Sequence, residues 1–290
     1  MTSPAAQTTF RIGLVGLDSS HTEDFLRHVN AERRHPQMCI TAIFGDDRQR
    51  VAELKRQDPD LEPAPTLDAL IEAVDAVIVG DRHGDLHLPH ALPCLAAGRP
   101  VFVDKPLANA LADAEAIVRA AEQYRTPLLS GSALRWQAET RRLKAKLAGI
   151  DGPLNLAAYG TWYPQNDYGG AIFYAIHTVE LVQELLGPGW RKVSSKPGKN
   201  PLIRFRSGEH TATLEFRPLD ASGSSSFGVE VTAPGVHIVQ PIPLADDYMA
   251  PVVDQIAAML RAGTSPMSRD ELLAPIALME EVDALLKADA

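Results

Sequence analysis

Between Phe10 and Ser130, short apolar runs alternate with helix-patterned segments, and this alternation constrains the fold more than any other feature of the chain. Phe10–Gly16, Cys39–Phe44, Ala76–Val79, Val101–Val103 and Pro127–Ser130 read as strands. Thr22–Val29, Arg48–Arg56, Asp68–Ala73, Leu86–Ala97 and Leu111–Gln123 read as the helices between them. Ala76-Val77-Ile78-Val79 shows no polar alternation, so both of its faces must be covered. Strands of this kind, each followed by a helix, call for a doubly wound parallel sheet with helices on both faces. We assign this α/β unit to residues 1–130.

The rhythm changes after residue 131. Asn155–Thr161 reads as a strand leading into the aromatic loop Trp162-Tyr163-Pro164, and Ala171–Leu186 as a helix stopped by Gly187-Pro188-Gly189. Leu202–Arg206, Thr211–Phe216, Phe227–Thr232 and Val236–Val239 read as hairpin strands joined by turns such as Pro234-Gly235. Asp220–Gly228 is rich in Ser and Gly and reads as a loop. Helices over Val252–Ala262 and Arg269–Leu286 close the chain. Residues 131–290 therefore read as an α+β domain with a mainly antiparallel sheet, whose last helices can pack back on the first domain.

At 290 residues the chain can bury a core without staples, and its two cysteines, Cys39 and Cys94, lie in apolar or helical runs where buried free thiols are expected. That usage suits a reducing cytoplasm. A formal net charge of -9 with no basic block argues against nucleic acid. No apolar run reaches the roughly 18 residues of a membrane span, and Met1–Thr9 lacks the pattern of a signal peptide and reads as a tail. His83, His87 and His90 have spacings that could align metal ligands, but no carboxylate or Cys cluster accompanies them, so no metal site is assigned.

Several residue groups carry chemistry. Gly16-Leu17-Asp18-Ser19-Ser20-His21 lies between the first strand and first helix, where an anion-binding loop belongs. Ser19, Ser20 and Thr22 can offer hydroxyls to a phosphate at the helix N-terminus, or Asp18 or Ser20 can cap that helix. Asp18 would repel a phosphate unless its side chain turns away. At the end of the second strand, Asp46 can bond ribose hydroxyls and Arg48 can meet a ribose phosphate. A Lys at the C-terminal edge of a parallel sheet, as Lys105 is, points into the ligand crevice. Glu180 follows His177 by three residues on the same helix face and can orient its imidazole.

With Asp81-Arg82-His83-Gly84-Asp85-Leu86-His87, Asp104-Lys105-Pro106 and Gly169-Gly170 through His177 in place, the chain resembles the Gfo/Idh/MocA oxidoreductases over nearly its whole length. The resemblance implies a Rossmann domain binding NAD or NADP. Gly16, Asp18, Ser19, Ser20, His21, Asp46, Arg48, Asp81, His83, His87 and Asp104 would lie on the cofactor side. It also implies that Lys105, after which the Pro peptide is often cis, touches both nicotinamide and substrate, and that His177 is the second acid/base. Arg135, Trp162, Tyr168, Tyr174 and Glu180 fall where the substrate pocket is expected. The chain departs from the family twice. Asp18 and His21 occupy two of the three glycine positions of the phosphate loop, and Phe173 stands where the family's catalytic Asp is expected.

The reading that follows is an NAD(P)-dependent oxidoreductase passing a hydride to or from a sugar, polyol or related hydroxy compound. With Gly45 at the ribose position and Arg48 nearby, use of both NAD and NADP, or weak binding of both, is expected rather than strict NAD specificity. The departures leave two rivals: an enzyme of the same fold without redox function (lyase, epimerase or hydrolase), and a non-catalytic nucleotide- or sugar-binding protein. A small-molecule substrate is expected, with neither nucleic acid nor membrane as partner. The resemblance alone implies a homo-oligomer built on the open face of the second sheet.

Overall fold

A computed structural model describes residues 9–196, 200–219 and 225–288. Of the Asp220–Gly228 segment, residues 220–224 lie outside the described residues, as do residues 1–8 of the expected tail.

The elements of the first domain, in chain order, are β1 (Phe10–Val15), α1 (His21–Leu26, continued by a π turn over Arg27–Ala31), β2 (Met38–Phe44), α2 (Arg48–Gln57), β3 (Glu62–Pro63), α3 (Leu67–Ala73), β4 (Ala76–Val79), α4 (His87–Ala96), β5 (Val101–Val103), α5 (Leu111–Tyr124) and β6 (Leu128–Ser130). The strands form one six-stranded sheet in the order β3-β2-β1-β4-β5-β6, and every pairing is parallel. The order reverses between β1 and β4, which opens a crevice at the carboxyl ends of those strands. The four residues of β4 are all buried, as its uniformly apolar sequence requires. Asp47 and Thr66 start α2 and α3, accepting amide hydrogens of the first turn on their side-chain oxygens.

The second domain continues with α6 (Ala138–Leu147), β7 (Asn155–Thr161), α7 (Ile172–Leu186), β8 (Arg191–Lys196), β9 (Leu202–Ser207), β10 (His210–Arg217), β11 (Gly228–Ala233), β12 (Val236–Pro241), α8 (Ala250–Ala262) and α9 (Arg269–Ala288). Its six strands follow the order β12-β11-β7-β10-β9-β8. The sheet is mixed rather than purely hairpin-built. β7 is central, antiparallel to β11 but parallel to β10, because α7 and the β8–β9 strands carry the chain across before β10 returns beside it. One face of this sheet packs on α7; the other carries an open depression of about 660 Å³ lined by Asn155, Arg204, Arg206, Thr211, Thr213 and Glu230 among others.

One core cluster runs without interruption from Val77 and Val101 of the first sheet to Leu156 and Phe216 of the second. A second cluster seats α8 on the first domain: Val252, Val253 and Ile256 pack with Phe25 and Phe102. No helix among the described residues is long and apolar enough to cross a membrane.

Candidate functional site

The crevice at the β1/β4 reversal holds two adjoining cavities. The larger, about 730 Å³, is lined by Gly16, Leu17, Asp18, Ser19, Ser20, Glu23, Phe44, Gly45, Asp46, Asp47, Arg50, Asp81, Leu86 and His90. The smaller, about 170 Å³, lies between the sheet edge and α7; His21, Arg82, Asp104, Lys105, Phe173, Tyr174, His177 and Tyr248 are among its walls. Ser19, Ser20 and Asp81 line both, so the two form one continuous trough.

The floor of the larger end depends on one glycine. Gly16 has φ +76°, and a Cβ there would stand 2.4 Å from the Asp81 side chain and backbone. Only glycine admits both the left-handed backbone and the close approach. Asp18 lines the larger cavity with its carboxylate already engaged. Its Oδ1 accepts the Arg82 amide at 3.0 Å and ties the loop after β1 to the loop after β4. Neither Asp18 nor Ser20 caps α1; it is Ser19 Oγ that accepts an amide there, from His21 at 3.2 Å.

Asp46 lies exposed on the rim of the larger cavity, while Arg48 is exposed and does not line it. Arg50, two residues on, turns inward instead. Its Nε donates to Leu17 O at 2.9 Å, and its guanidinium pairs with Glu23 at 2.5 Å. The reason lies in α2: Asp47 caps the helix and fixes its first turn, so the residue at position 50, not 48, faces the β1 loop. His90 also closes this end, its Nδ1 2.7 Å from Asp81 Oδ2 and its ring edge-on to Phe44. Burial opposes the imidazolium of His90, but Asp81 outweighs it and raises the pKa above the ordinary value.

The chemistry-bearing end is densely charged. Lys105, 8% exposed, follows β5 and is joined to Pro106 by a cis peptide bond. Its Nζ lies 4.2 Å from the centre of the Phe173 ring and 3.5 Å from the Phe173 carbonyl. Burial lowers its pKa by more than Asp104 restores, and Arg82 adds to the lowering. Asp104 accepts the Lys105 amide on Oδ1 at 2.9 Å and meets His21 Nδ1 on Oδ2 at 2.5 Å. Burial alone would raise its pKa, yet His21 and Lys105 outweigh it and hold the carboxyl at about 2.

A folded-state pKa below the ordinary value of 3.8 means that Asp104 stabilises the protein above that pH, and that the contribution disappears as pH falls through about 2. The difference corresponds to roughly 2 kcal/mol. Acid unfolding of Asp104→Asn, compared with the parent between pH 4 and pH 2, should therefore show a shallower loss of stability. Parallel curves for the two proteins would refute the assignment.

His177 stands on α7 with Nδ1 2.7 Å from Ser132 Oγ. Burial, reinforced by the charges of Lys105 and His21, holds its pKa well below the ordinary value, so the ring is neutral at pH 7. Glu180 does not orient it. Glu180 is buried, accepts the Ser132 amide on Oε2 at 2.7 Å and lies 3.6 Å from the Arg135 guanidinium. The same helix face carries both residues, but the carboxylate is drawn to the buried Arg135 guanidinium, and Ser132 takes the imidazole instead.

Arg135, 3% exposed and also paired with Glu184 at 3.1 Å, is a buried pin rather than a cavity wall. Trp162 stacks on Phe216 at 5.7 Å and packs against the second-domain core, away from the trough. Tyr174 lines the smaller cavity; Tyr168 supports it from behind, its ring 4.3 Å under the Arg82 guanidinium. His83 caps the 3-10 turn Gly84–Leu86. His87 is fully buried and ties the β4 loop to the Lys105 turn, Nε2 at 2.9 Å from Asp81 O and Nδ1 at 2.7 Å from Pro106 O. Histidines 83, 87 and 90 thus do not converge on one point: His83 caps its turn, His87 meets the Asp81 carbonyl and His90 the Asp81 carboxylate. Arg50, Arg82, His90, Ser132 and Tyr248 join the site without a local sequence pattern to mark them. For His90 the sequence offers only its spacing, four and then three residues along from His83 through His87.

These residues fit a dinucleotide. The trough passes the N-terminus of α1, Gly16 lets backbone approach, the Asp18 carboxylate is engaged elsewhere, and Asp46 stands where ribose hydroxyls would lie.

Comparison with known proteins agrees. The sequence pattern of an oxidoreductase family with an NAD-binding Rossmann fold, Gfo/Idh/MocA, matches residues 10–132. An inositol 2-dehydrogenase of Acidiphilium cryptum is 31% identical over 140 residues, 47% of this chain and 41% of that protein. The scyllo-inositol 2-dehydrogenase (NADP(+)) IolW of Bacillus subtilis is 31% identical over 97 residues, 33% of this chain and 27% of that protein. The aligned stretches thus span less than half of either relative. Over whole chains the fold matches GenD2 of gentamicin A biosynthesis, solved in complex with NAD, with a TM-score of 0.81 at 16% identity, covering 100% of this chain and 98% of that one. It matches the myo-inositol 2-dehydrogenase of Lactobacillus plantarum with a TM-score of 0.82 at 14% identity, covering 97% and 98%. Residues 10–132, the Rossmann domain, thus carry the sequence pattern of the Gfo/Idh/MocA oxidoreductases.

Proposed function

We propose that this protein is an NAD(P)-dependent dehydrogenase that oxidises a secondary hydroxyl of a sugar- or polyol-like substrate, or reduces the corresponding carbonyl. The observation that carries the reading is the pairing, in one small cavity, of a buried lysine of lowered pKa with a neutral histidine, beside a trough of dinucleotide size.

Gly16, Ser19, Ser20 and Asp46 would hold the dinucleotide, which when bound supplies the hydride acceptor or donor. The protein supplies the rest. The Lys105 ammonium steadies the substrate oxygen as it gains negative charge. With Nδ1 held by Ser132, Nε2 is the nitrogen His177 has left for the cavity. In the tautomer whose Nδ1–H donates to Ser132 Oγ, the Nε2 lone pair accepts the hydroxyl proton. Phe173 covers the lysine and keeps water from its ammonium.

Asp46 on the rim, with Arg48 turned outward and Arg50 held by Glu23 and Leu17, favours an unmodified ribose and hence NAD. Titration with NADH and NADPH, followed by nicotinamide fluorescence, should give the tighter dissociation constant for NADH. NADPH binding tenfold tighter, about 1.4 kcal/mol, would reverse the preference. Failure of both to bind would remove the dehydrogenase reading and leave the same-fold enzyme without redox chemistry or a non-catalytic sugar-binding protein.

A further inference from the structure

The smaller cavity contains a cation that the oxidoreductase chemistry does not use. Arg82 follows β4, and its guanidinium lies 4.3 Å from the centre of the Tyr168 ring and 5.6 Å from that of Phe173. Among the described residues the guanidinium has neither an ion pair nor a hydrogen bond; only its backbone amide is engaged, by Asp18. The two acids that line the smaller cavity are already committed. Asp81 is paired with His90, and Asp104 with His21. Arg82 is close enough to Lys105 to disfavour that ammonium, so the cavity brings two cations together with no free carboxylate between them.

Like charges gathered in a partly buried space raise the energy of the empty site and favour a ligand that carries the opposite charge. The ring of Tyr168 holds the guanidinium from behind by a cation–π contact, which leaves its N–H fork to the paired oxygens of an anionic group. A neutral polyol would satisfy the hydroxyl-binding role of Lys105 and His177, and would leave Arg82 without a partner.

Resting on the dehydrogenase reading above, we propose that the substrate is an acidic sugar or polyol derivative, whose carboxylate or phosphate is seated by Arg82 while its reacting hydroxyl lies between Lys105 and His177. Both anions share the chemistry the fork recognises, and they differ in size and charge. The seat also sets the orientation. With the anion at the Arg82 end, the carbon presented to Lys105 is fixed by the distance between acid and hydroxyl within the substrate, so the site selects by position as well as by charge.

Calorimetric titration at constant ionic strength, with and without NADH, tests this with D-gluconate, glucose 6-phosphate and neutral D-glucitol as probes. Gluconate or the phosphate should bind at least tenfold tighter than glucitol, and whichever binds identifies the source of the anion. Arg82→Gln should remove that margin, while Arg82→Lys, which keeps the charge but not the fork, should keep part of it. Thermal melting of each variant without ligand checks that the fold is retained. Equal binding of the acidic and neutral probes by the parent overturns the proposal, and so does an Arg82→Gln protein that still prefers the acid. Anion binding that depends on Arg82 in a protein that binds no NADH would uphold the seat and sink the dehydrogenase. Turnover of glucitol by the parent, with no preference for either anion, would do the reverse.

Discussion

Lys105→Met is expected to lower kcat/KM at least 100-fold while leaving the folded protein intact. The ammonium is the group placed to meet negative charge as it develops on the substrate oxygen, and removal of such a donor from a water-poor site typically costs about 3 kcal/mol in the transition state. Stability should not fall with it. Burial already disfavours the charged lysine, so an apolar side chain of similar length relieves a desolvation cost and keeps the contact with Phe173. Steady-state kinetics and urea unfolding on the same preparation separate the two effects. Turnover within threefold of the parent would remove Lys105 from the chemistry, and a large loss of stability would make it a structural residue.

Glu180→Ala is expected to be the most destabilising single substitution at the site, by about 3 kcal/mol, the low end for breaking a buried ion pair. The carboxylate is 3% exposed, sits 3.6 Å from a guanidinium equally hidden from water, and accepts the Ser132 amide at 2.7 Å. Burial raises its pKa and Arg135 pulls it back, so the ion pair is what makes the buried charge tolerable. Without it Arg135 keeps Glu184 alone, which is why the low end applies. Activity should fall as well, since Ser132 positions His177. Glu180→Gln, which can still accept the Ser132 amide, should retain more activity than the alanine variant. Urea midpoints at unchanged m-value measure the loss; a change under 1 kcal/mol would show that Arg135 is held by Glu184 alone.

How much of this was legible follows from where the physics is local. The first sheet could be read because its strands are apolar on both faces, as in Ala76–Val79, and its helices carry caps such as Asp47 and Thr66. β8 could not. Its sequence Arg-Lys-Val-Ser-Ser-Lys has no alternation, because an edge strand needs little burial. α6 is so rich in charge that its apolar face reduces to Leu143 and Leu147 with Thr140, too thin a stripe to recognise, and β3 is two residues long and ends in proline. At the site, Lys105 and His177 stand in patterns that the family resemblance marks. Arg82 reads as an ordinary loop residue until Tyr168, 86 positions further on, is folded beneath it. Glu180 shows the limit of helix spacing as a guide: residues three apart share a face, but a third residue from another element decides which of them pair.

The docking of α8 on the first domain bears on how this chain could be recombined with its relatives. Val252, Val253 and Ile256 supply apolar surface to Phe25 and Phe102 from more than 100 positions downstream, so the nucleotide-binding half is not a contiguous module in the sequence. A chimera that exchanged only residues 10–132 would join one parent's sheet to the other parent's covering helix, with mismatched side chains along the seam. The transferable unit has two pieces, the first 132 residues and the helix Ala250–Ala262, and cofactor preference can be transplanted cleanly only when both travel together.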